Sequence, residues 1–146
     1  MKKVVVGSDH AGVRVKNLVV KALDSLGFSV KDFSLLNEPG DDYPDFAELV
    51  AKEVVRSKSV GVLVCGSGIG MSIAANKVRG VRAALCRTPR DAVLARQHND
   101  ANVLVLSGKT LGKDVGLIVK KFFSSGFEQG RHLRRVKKIK ALEKNG

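Results

Sequence analysis

Residues 60–65, Val60-Gly61-Val62-Leu63-Val64-Cys65, form a near-continuous apolar run that breaks at Gly66-Ser67-Gly68-Ile69-Gly70 and then enters a helix-forming segment. A strand without polar alternation has to be covered on both faces, which is the situation of a central strand in a parallel sheet. The same order recurs along the chain. Residues 4–7 are a β-branched run ending at Gly7. Val13, Leu18, Val19, Ala22, Leu23 and Leu26 follow at helical spacing and stop at Gly27. Residues 28–33 alternate apolar with polar side chains and predict a second strand, after which Asn37-Glu38-Pro39-Gly40-Asp41-Asp42 is turn chemistry with room for a functional loop. Asp45 is placed to cap a helix carrying Phe46, Leu49, Val50 and Val54.

Beyond the glycine loop, a helix is expected to reach Lys77 or Val78, a strand to occupy residues 81–86, and Pro89 to start a helix carrying Ala92, Val93 and Ala95. Residues 103–106 read as the fifth strand and residues 111–123 as a further helix. A basic tail helix over about 131–143 carries Leu133, Val136, Ile139 and Leu142 on one face. Strands alternating with helices of this length predict an α/β fold: one domain over residues 1–146, a three-layer α/β/α sandwich with a Rossmann-like, parallel, five-stranded sheet. The pattern leaves the strand order open. In such sheets ligands bind beyond the carboxyl ends of the strands, so the strand-to-helix loops are the candidate sites.

The chain is 146 residues long, with 44% hydrophobic and 27% charged residues, and so has the composition of an ordinary globular domain. The amino-terminal apolar run is too short for a signal peptide and no membrane-spanning stretch follows, so a cytoplasmic protein is expected. Cys65 and Cys86 have neither Cys-x-x-Cys spacing nor zinc-finger histidines, and both are expected as reduced thiols. The formal net charge of +12 suits either nucleic acid or a small anionic substrate. Its densest stretch is Arg131, Arg134, Arg135, Lys137, Lys138, Lys140 and Lys144, opposed only by Glu143. Arg131 and Arg135 lie four residues apart and share a helix face, where two guanidinium groups can grip one phosphate. With one Tyr and no Trp in the chain, and no aromatic interleaving in the tail, a nucleic-acid patch ranks second.

The glycines of residues 66–70 let the backbone approach a ligand while amide hydrogens point toward negative charge, an anion cradle. The third glycine comes one residue too early for a dinucleotide fingerprint, and no Gly-Lys-Ser/Thr follows to make a P-loop. Cys65, immediately before the cradle, sits where amide dipoles favour a thiolate able to act as base or nucleophile. Cys86 reads as a small buried hydrophobe. Asp9-His10 and His98-Asn99-Asp100 each put an imidazole near a carboxylate in sequence, beside a loop, as acid/base work requires. These features make residues 65–70 the expected active site of a small α/β enzyme acting on a phosphorylated metabolite.

Six segments, Gly7-Ser8-Asp9-His10-Ala11-Gly12, Asp42-Tyr43-Pro44-Asp45, Cys65-Gly66-Ser67-Gly68-Ile69-Gly70, Ala74-Ala75-Asn76-Lys77, Arg96-Gln97-His98-Asn99-Asp100-Ala101-Asn102 and Gly130-Arg131-His132, closely resemble the ribose-5-phosphate isomerase B family in this order. That family also includes galactose-6-phosphate and allose-6-phosphate isomerases. The resemblance implies interconversion of ribose 5-phosphate and ribulose 5-phosphate, a step of the non-oxidative pentose phosphate pathway, through a cis-enediolate. It implies no metal and no redox cofactor. Cys65 would be the base; family members that use a glutamate carry it just after the glycine loop, where this chain has Met71.

By the same resemblance Ser67 would shuttle hydroxyl protons, the amides of Gly66, Ser67, Gly68, Ile69 and Gly70 would hold the oxyanion, and His98 would help to open the furanose ring. Asp9 would act at the sugar hydroxyls, His10, Arg131 and Arg135 at the phosphate, and Asn99 at the sugar, with Tyr43 in the loop beside them. Lys109 stands where an arginine commonly helps to bind phosphate, keeping the charge but losing the fork. The resemblance implies a homodimer or a tetramer, each site completed by the partner's His98 region and tail. A six-carbon sugar phosphate is the alternative substrate. A basic nucleic-acid-binding module and a noncatalytic phosphosugar sensor are alternatives of another class.

Overall fold

The computed structural model describes residues 2–145; Met1 and Gly146, the two ends of the expected domain, lie outside the described residues. Five strands, β1 (Lys3–Ser8), β2 (Ser29–Asp32), β3 (Val60–Cys65), β4 (Ala83–Leu85) and β5 (Val103–Ser107), form one parallel sheet in the order β2-β1-β3-β5-β4. Between and after them run α1 (Val13–Ser25), α2 (Tyr43–Ser57), α3 (Ile69–Ala75), α4 (Pro89–Asn99), α5 (Gly112–Ser124) and α6 (Arg131–Leu142). The sequence pattern is borne out in its fold class.

Period-two alternation within each central strand divides the core into two layers. Val4, Val6, Val62, Val64, Leu104 and Leu106 pack against Val15, Val19 and Leu23 of α1, Ala92 and Ala95 of α4, and Ile118, Val119 and Phe122 of α5. Val5, Leu63, Cys65, Val103 and Val105 face the opposite way, onto Ala47, Val50 and Val54 of α2 and Met71 and Ala75 of α3. Burial on both faces is why the central runs carry no polar alternation. α6 lies against α4, burying Val136 and His132.

Several boundaries differ from the sequence reading. α2 begins at Tyr43 with Asp42 in the N-cap position; Asp45 lies in the first turn, where its charge favours the positive end of the helix without capping it. β2 is shorter than residues 28–33, and β4 keeps only three of the residues expected at 81–86. β4 is an edge strand whose outer side is taken up locally. The Asn76 side chain donates Nδ2 to Ala83 O at 2.9 Å and accepts the Ala83 N–H at 2.8 Å, pairing like one more residue of sheet. That use of Asn76 also ends α3 at Ala75, before Lys77. α5 begins at Gly112, with Leu111 as its cap position.

The carboxyl ends of β1, β3 and β5 are held together by backbone contacts. Asp9 N–H donates to Val64 O at 3.3 Å and Gly108 N–H to Cys65 O at 2.7 Å. A Cβ on Gly108 would lie 2.5 Å from Ala11 O, so the β1 and β5 loops cross where only glycine fits. Gly108→Ala is expected to destabilise the protein by about 1–3 kcal/mol, the cost of overpacking a filled site. In urea unfolding the midpoint should fall with an unchanged slope.

Candidate active site

Three strand-to-helix loops meet at this end of the sheet. Cys65 closes β3 with only 4% of its surface exposed, and its Sγ accepts the Gly68 N–H at 3.2 Å. Gly68 makes that bend with φ of +79°, where a Cβ would lie 2.5 Å from Leu85 Cδ1. Ser67 is exposed; its Oγ accepts the Ile69 N–H at 3.2 Å, so the hydroxyl proton stays available to a ligand. The cradle is therefore narrower than the five amides expected for it, since those of Gly68 and Ile69 already serve side chains of the loop itself. Tyr43, from the start of α2, lays its ring over Gly70, where a Cβ would come within 2.6 Å of the Tyr43 Oη.

The β1 loop supplies Asp9 and His10. Asp9 is buried, and its Oδ1 accepts the N–H groups of Ala11 at 3.0 Å and Gly12 at 3.1 Å. Burial raises the Asp9 carboxyl above its ordinary value; the His10 charge and the two amide bonds pull the other way, and Asp41 adds to the rise. From the β5 loop, Ser107 Oγ donates to Gly66 O at 2.9 Å and accepts the Lys109 N–H at 3.0 Å, tying Lys109 to the glycine loop.

The carboxylate partners read from sequence are not the ones the fold uses. His10 pairs with Asp41 from the β2–α2 loop, Nδ1 to Oδ1 at 2.7 Å, and its backbone N–H donates to the same oxygen at 2.8 Å. Asp100 takes Arg96 at 3.0 Å and Arg82 at 3.4 Å, while His98 instead stacks on His132, ring centroids 4.1 Å apart and planes 12° from parallel. Burial lowers the His132 imidazole below its ordinary value, helped by His98, Arg131 and Arg135 and opposed by Glu128.

His98, Asn99, Arg131 and Arg135 do not join Cys65 within one chain. α4 runs back along the sheet, and the Asn99 and Asp100 carbonyls accept Arg82 immediately before β4, which fixes the end of α4 at the amino edge of the strands. A five-residue strand separates the two edges by about 15 Å. Arg131 and Arg135 are exposed on α6 beside that edge.

Among the described residues two groups of side chains have metal-ligand chemistry, His98 with Glu128 and His132, and Asp9 with His10 and Asp41. In the first the rings stack nearly parallel, so their lone pairs do not converge on one point. In the second the acceptors are already turned onto Ala11, Gly12, Asn37 and His10, and the group is a hydrogen-bond network. Among the described residues no helix is long and apolar enough to cross a membrane.

Residues 4–139 match the family described as Ribose/Galactose Isomerase. The chain belongs to that family. It is 41% identical over 145 residues to ribose-5-phosphate isomerase B of Escherichia coli, covering 98% of this chain and 97% of that protein. A solved ribose 5-phosphate isomerase from Thermotoga maritima superposes with a TM-score of 0.91 at 44% identity, covering 96% and 98% of the two chains. Ribose-5-phosphate isomerase B of Mycoplasma genitalium, solved with bound ribulose-5-phosphate, superposes with a TM-score of 0.93 at 42% identity, covering 99% of this chain and 97% of that one.

Sequence reasoning did not single out Asp41, Asn37 or Ser107. Residues 37–42 announced a loop that can carry function, but which carboxylate turns toward His10 is decided by how that loop folds back on β1. Cys86 behaves as the sequence reading expected of a buried hydrophobe: burial first, and then Asp91, push its thiol up to about 12. Cys65→Ala, which leaves Cys86 as the single thiol of the chain, should therefore consume no chromogenic disulfide reagent at about pH 8 until it is unfolded. Rapid reaction of that variant in its folded state would contradict the burial assigned to Cys86.

Proposed function

We propose that this protein is a cytoplasmic aldose-ketose isomerase that interconverts ribose 5-phosphate and ribulose 5-phosphate, with Cys65 as the proton-transferring base. The observation that carries the reading is the convergence at one sheet edge of a thiol, a hydroxyl, a carboxyl raised by burial, and cations on two neighbouring loops. The bound ribulose-5-phosphate of the Mycoplasma genitalium relative favours a five-carbon substrate.

In this mechanism the Cys65 thiolate takes the proton from C2 of the open-chain aldose, and the electron pair moves into a cis-enediolate whose charge falls on O1. The thiol then returns the proton to C1. Ser67 exchanges hydroxyl protons between O1 and O2, and glycine-loop amides stabilise the developing oxyanion. Asp9 acts at the sugar hydroxyls, and Tyr43 walls the loop. His10 and Lys109 meet the phosphate. Remote phosphate binding orients the sugar against Cys65.

Ring opening by His98, the Asn99 sugar contact and the Arg131 and Arg135 phosphate clamp belong, in this reading, to a site shared across a homodimer. About 15 Å of strand keeps these groups from Cys65 of the same chain, and a second chain related by a two-fold axis can bring its own set to that edge. The +12 charge then serves an anionic substrate.

Cys65→Ala should abolish exchange of the C2 hydrogen with solvent, lowering turnover at least about a hundredfold while phosphate binding persists. Turnover on ribose, allose and galactose phosphates compared side by side checks the substrate. Conversion of a six-carbon sugar alone would keep the isomerase and remove the five-carbon assignment. For the shared site, Cys65→Ala and His98→Asn chains are each expected to be inactive, yet random mixing should restore about a quarter of wild-type activity, because each hybrid dimer holds one intact site. No recovery on mixing would place the whole site in one chain.

A further inference from the structure

His10 is held by Asp41 through two hydrogen bonds, its Nδ1 at 2.7 Å and its backbone N–H at 2.8 Å from the same Oδ1. Asp41 is in turn fixed by Asn37, whose Nδ2 donates to Asp41 Oδ2 at 2.9 Å and to Ser8 O at 2.8 Å, fastening the residue 37–42 loop to the end of β1. With Nδ1 donating to the carboxylate, a neutral ring has its lone pair on Nε2, the opposite edge of a side chain that is 45% exposed. That edge would turn a lone pair toward a phosphate oxygen. Only the imidazolium can donate to Asp41 and to a phosphate at once.

We propose that Asp41 is a positioning residue that keeps His10 as an imidazolium with Nε2–H aimed at the substrate phosphate, so that the residue 37–42 loop sets the pH range over which the enzyme binds phosphate esters. The inference rests on the assignment of His10 to the phosphate subsite made above. The electrostatics of the site require such a partner. In the shared site proposed above, Lys109 and the partner's Arg131 and Arg135 would meet the same phosphate, and several cations together disfavour protonation of an imidazole. Asp41 from the loop and Asp9 from the adjoining turn are the acidic groups that face the ring among the described residues. The hydrogen bond to Asp41 raises the His10 imidazole above its ordinary value against some desolvation, with the charges of Asp41 and Asp9 acting in the same sense. Burial pushes the Asp41 carboxyl up, but the bonds from Asn37 and His10 outweigh it and leave the carboxyl below its ordinary value.

The sign of the effect separates this role from a structural one. Just above the ordinary imidazole value of 6.5, a larger share of wild-type rings than of Asp41→Asn rings is charged, and the amide can still accept from Nδ1. Below that value both rings are charged, and the variant has lost a negative charge close to the bound anion. Calorimetric binding of inorganic phosphate should therefore be several-fold weaker in Asp41→Asn than in wild type at about pH 7, just above the ordinary imidazole value. At mildly acidic pH it should be equal or tighter. Phosphate's own ionisation is common to both proteins and cancels in the ratio.

The His10 Cε1–H resonance, assigned with His10→Gln, should titrate at lower pH in Asp41→Asn. In Asn37→Ala it should move in the same direction by less. An affinity ratio independent of pH, or an unmoved His10 titration, overturns the proposal. If His10→Gln binds phosphate as well as wild type, His10 is not the phosphate ligand and the proposal falls while isomerisation stands. Were the sugar-phosphate reading itself wrong, the wild-type protein would neither bind phosphate nor convert any sugar phosphate.

Discussion

Burial of both faces of β1, β3 and β5 is the constraint from which the rest of the molecule follows. Val5, Val6, Leu63, Val64, Leu104 and Val105 have no exposed surface, so side chains from the middle of the sheet cannot meet a solute. Polar chemistry is pushed to the strand ends, and because the strands are parallel every strand-to-helix loop leaves by the same edge. Cys65 is the last residue of that dry run and the first of the loop. It belongs to the core by packing and to the site by its Gly68 hydrogen bond.

The loops at this edge are ordered by contacts that leave little freedom. Gly12 and Gly108 lie where a Cβ would strike Val64 O and Ala11 O, and Ser107 ties Gly66 to Lys109. Close backbone approach fixes these loops relative to one another without large side chains between them. At the same edge His10, Ser67 and Lys109 are exposed. A cavity of about 710 Å³ lies elsewhere, lined by Asn76, Arg79, Ala84, Asn99, Ile139 and Leu142 beside the β4 edge. His98, stacked on His132, and the exposed Arg131 and Arg135 lie at the opposite end of the strands from Cys65.

The carboxylates show how far sequence proximity misleads. Asp9 is adjacent to His10, yet its oxygen turns back onto Ala11 and Gly12, because a chain leaving a strand into a tight turn has amides to satisfy there. His10 finds Asp41 instead, 31 positions away. His98 has Asp100 two residues on, but Arg82 and Arg96 claim that carboxylate, and the imidazole stacks on His132. In each case nearer donors, the turn amides for Asp9 and two guanidinium groups for Asp100, take the acid before the imidazole can.

Periodicity and glycine placement by themselves determined the α/β class, the five strands, and the strand-to-helix turn at residues 65–70, since these are local consequences of which side chains can be buried and which backbone turns are possible. The motifs, in their order, carried the family resemblance. Only the tertiary structure decided the strand order, the sealing of β4 by Asn76, the pairing of His10 with Asp41, and the separation of His98 and Arg131 from Cys65. These depend on which distant segments come into contact, and that is settled by the competition of whole faces for the two sides of one sheet rather than by any spacing along the chain.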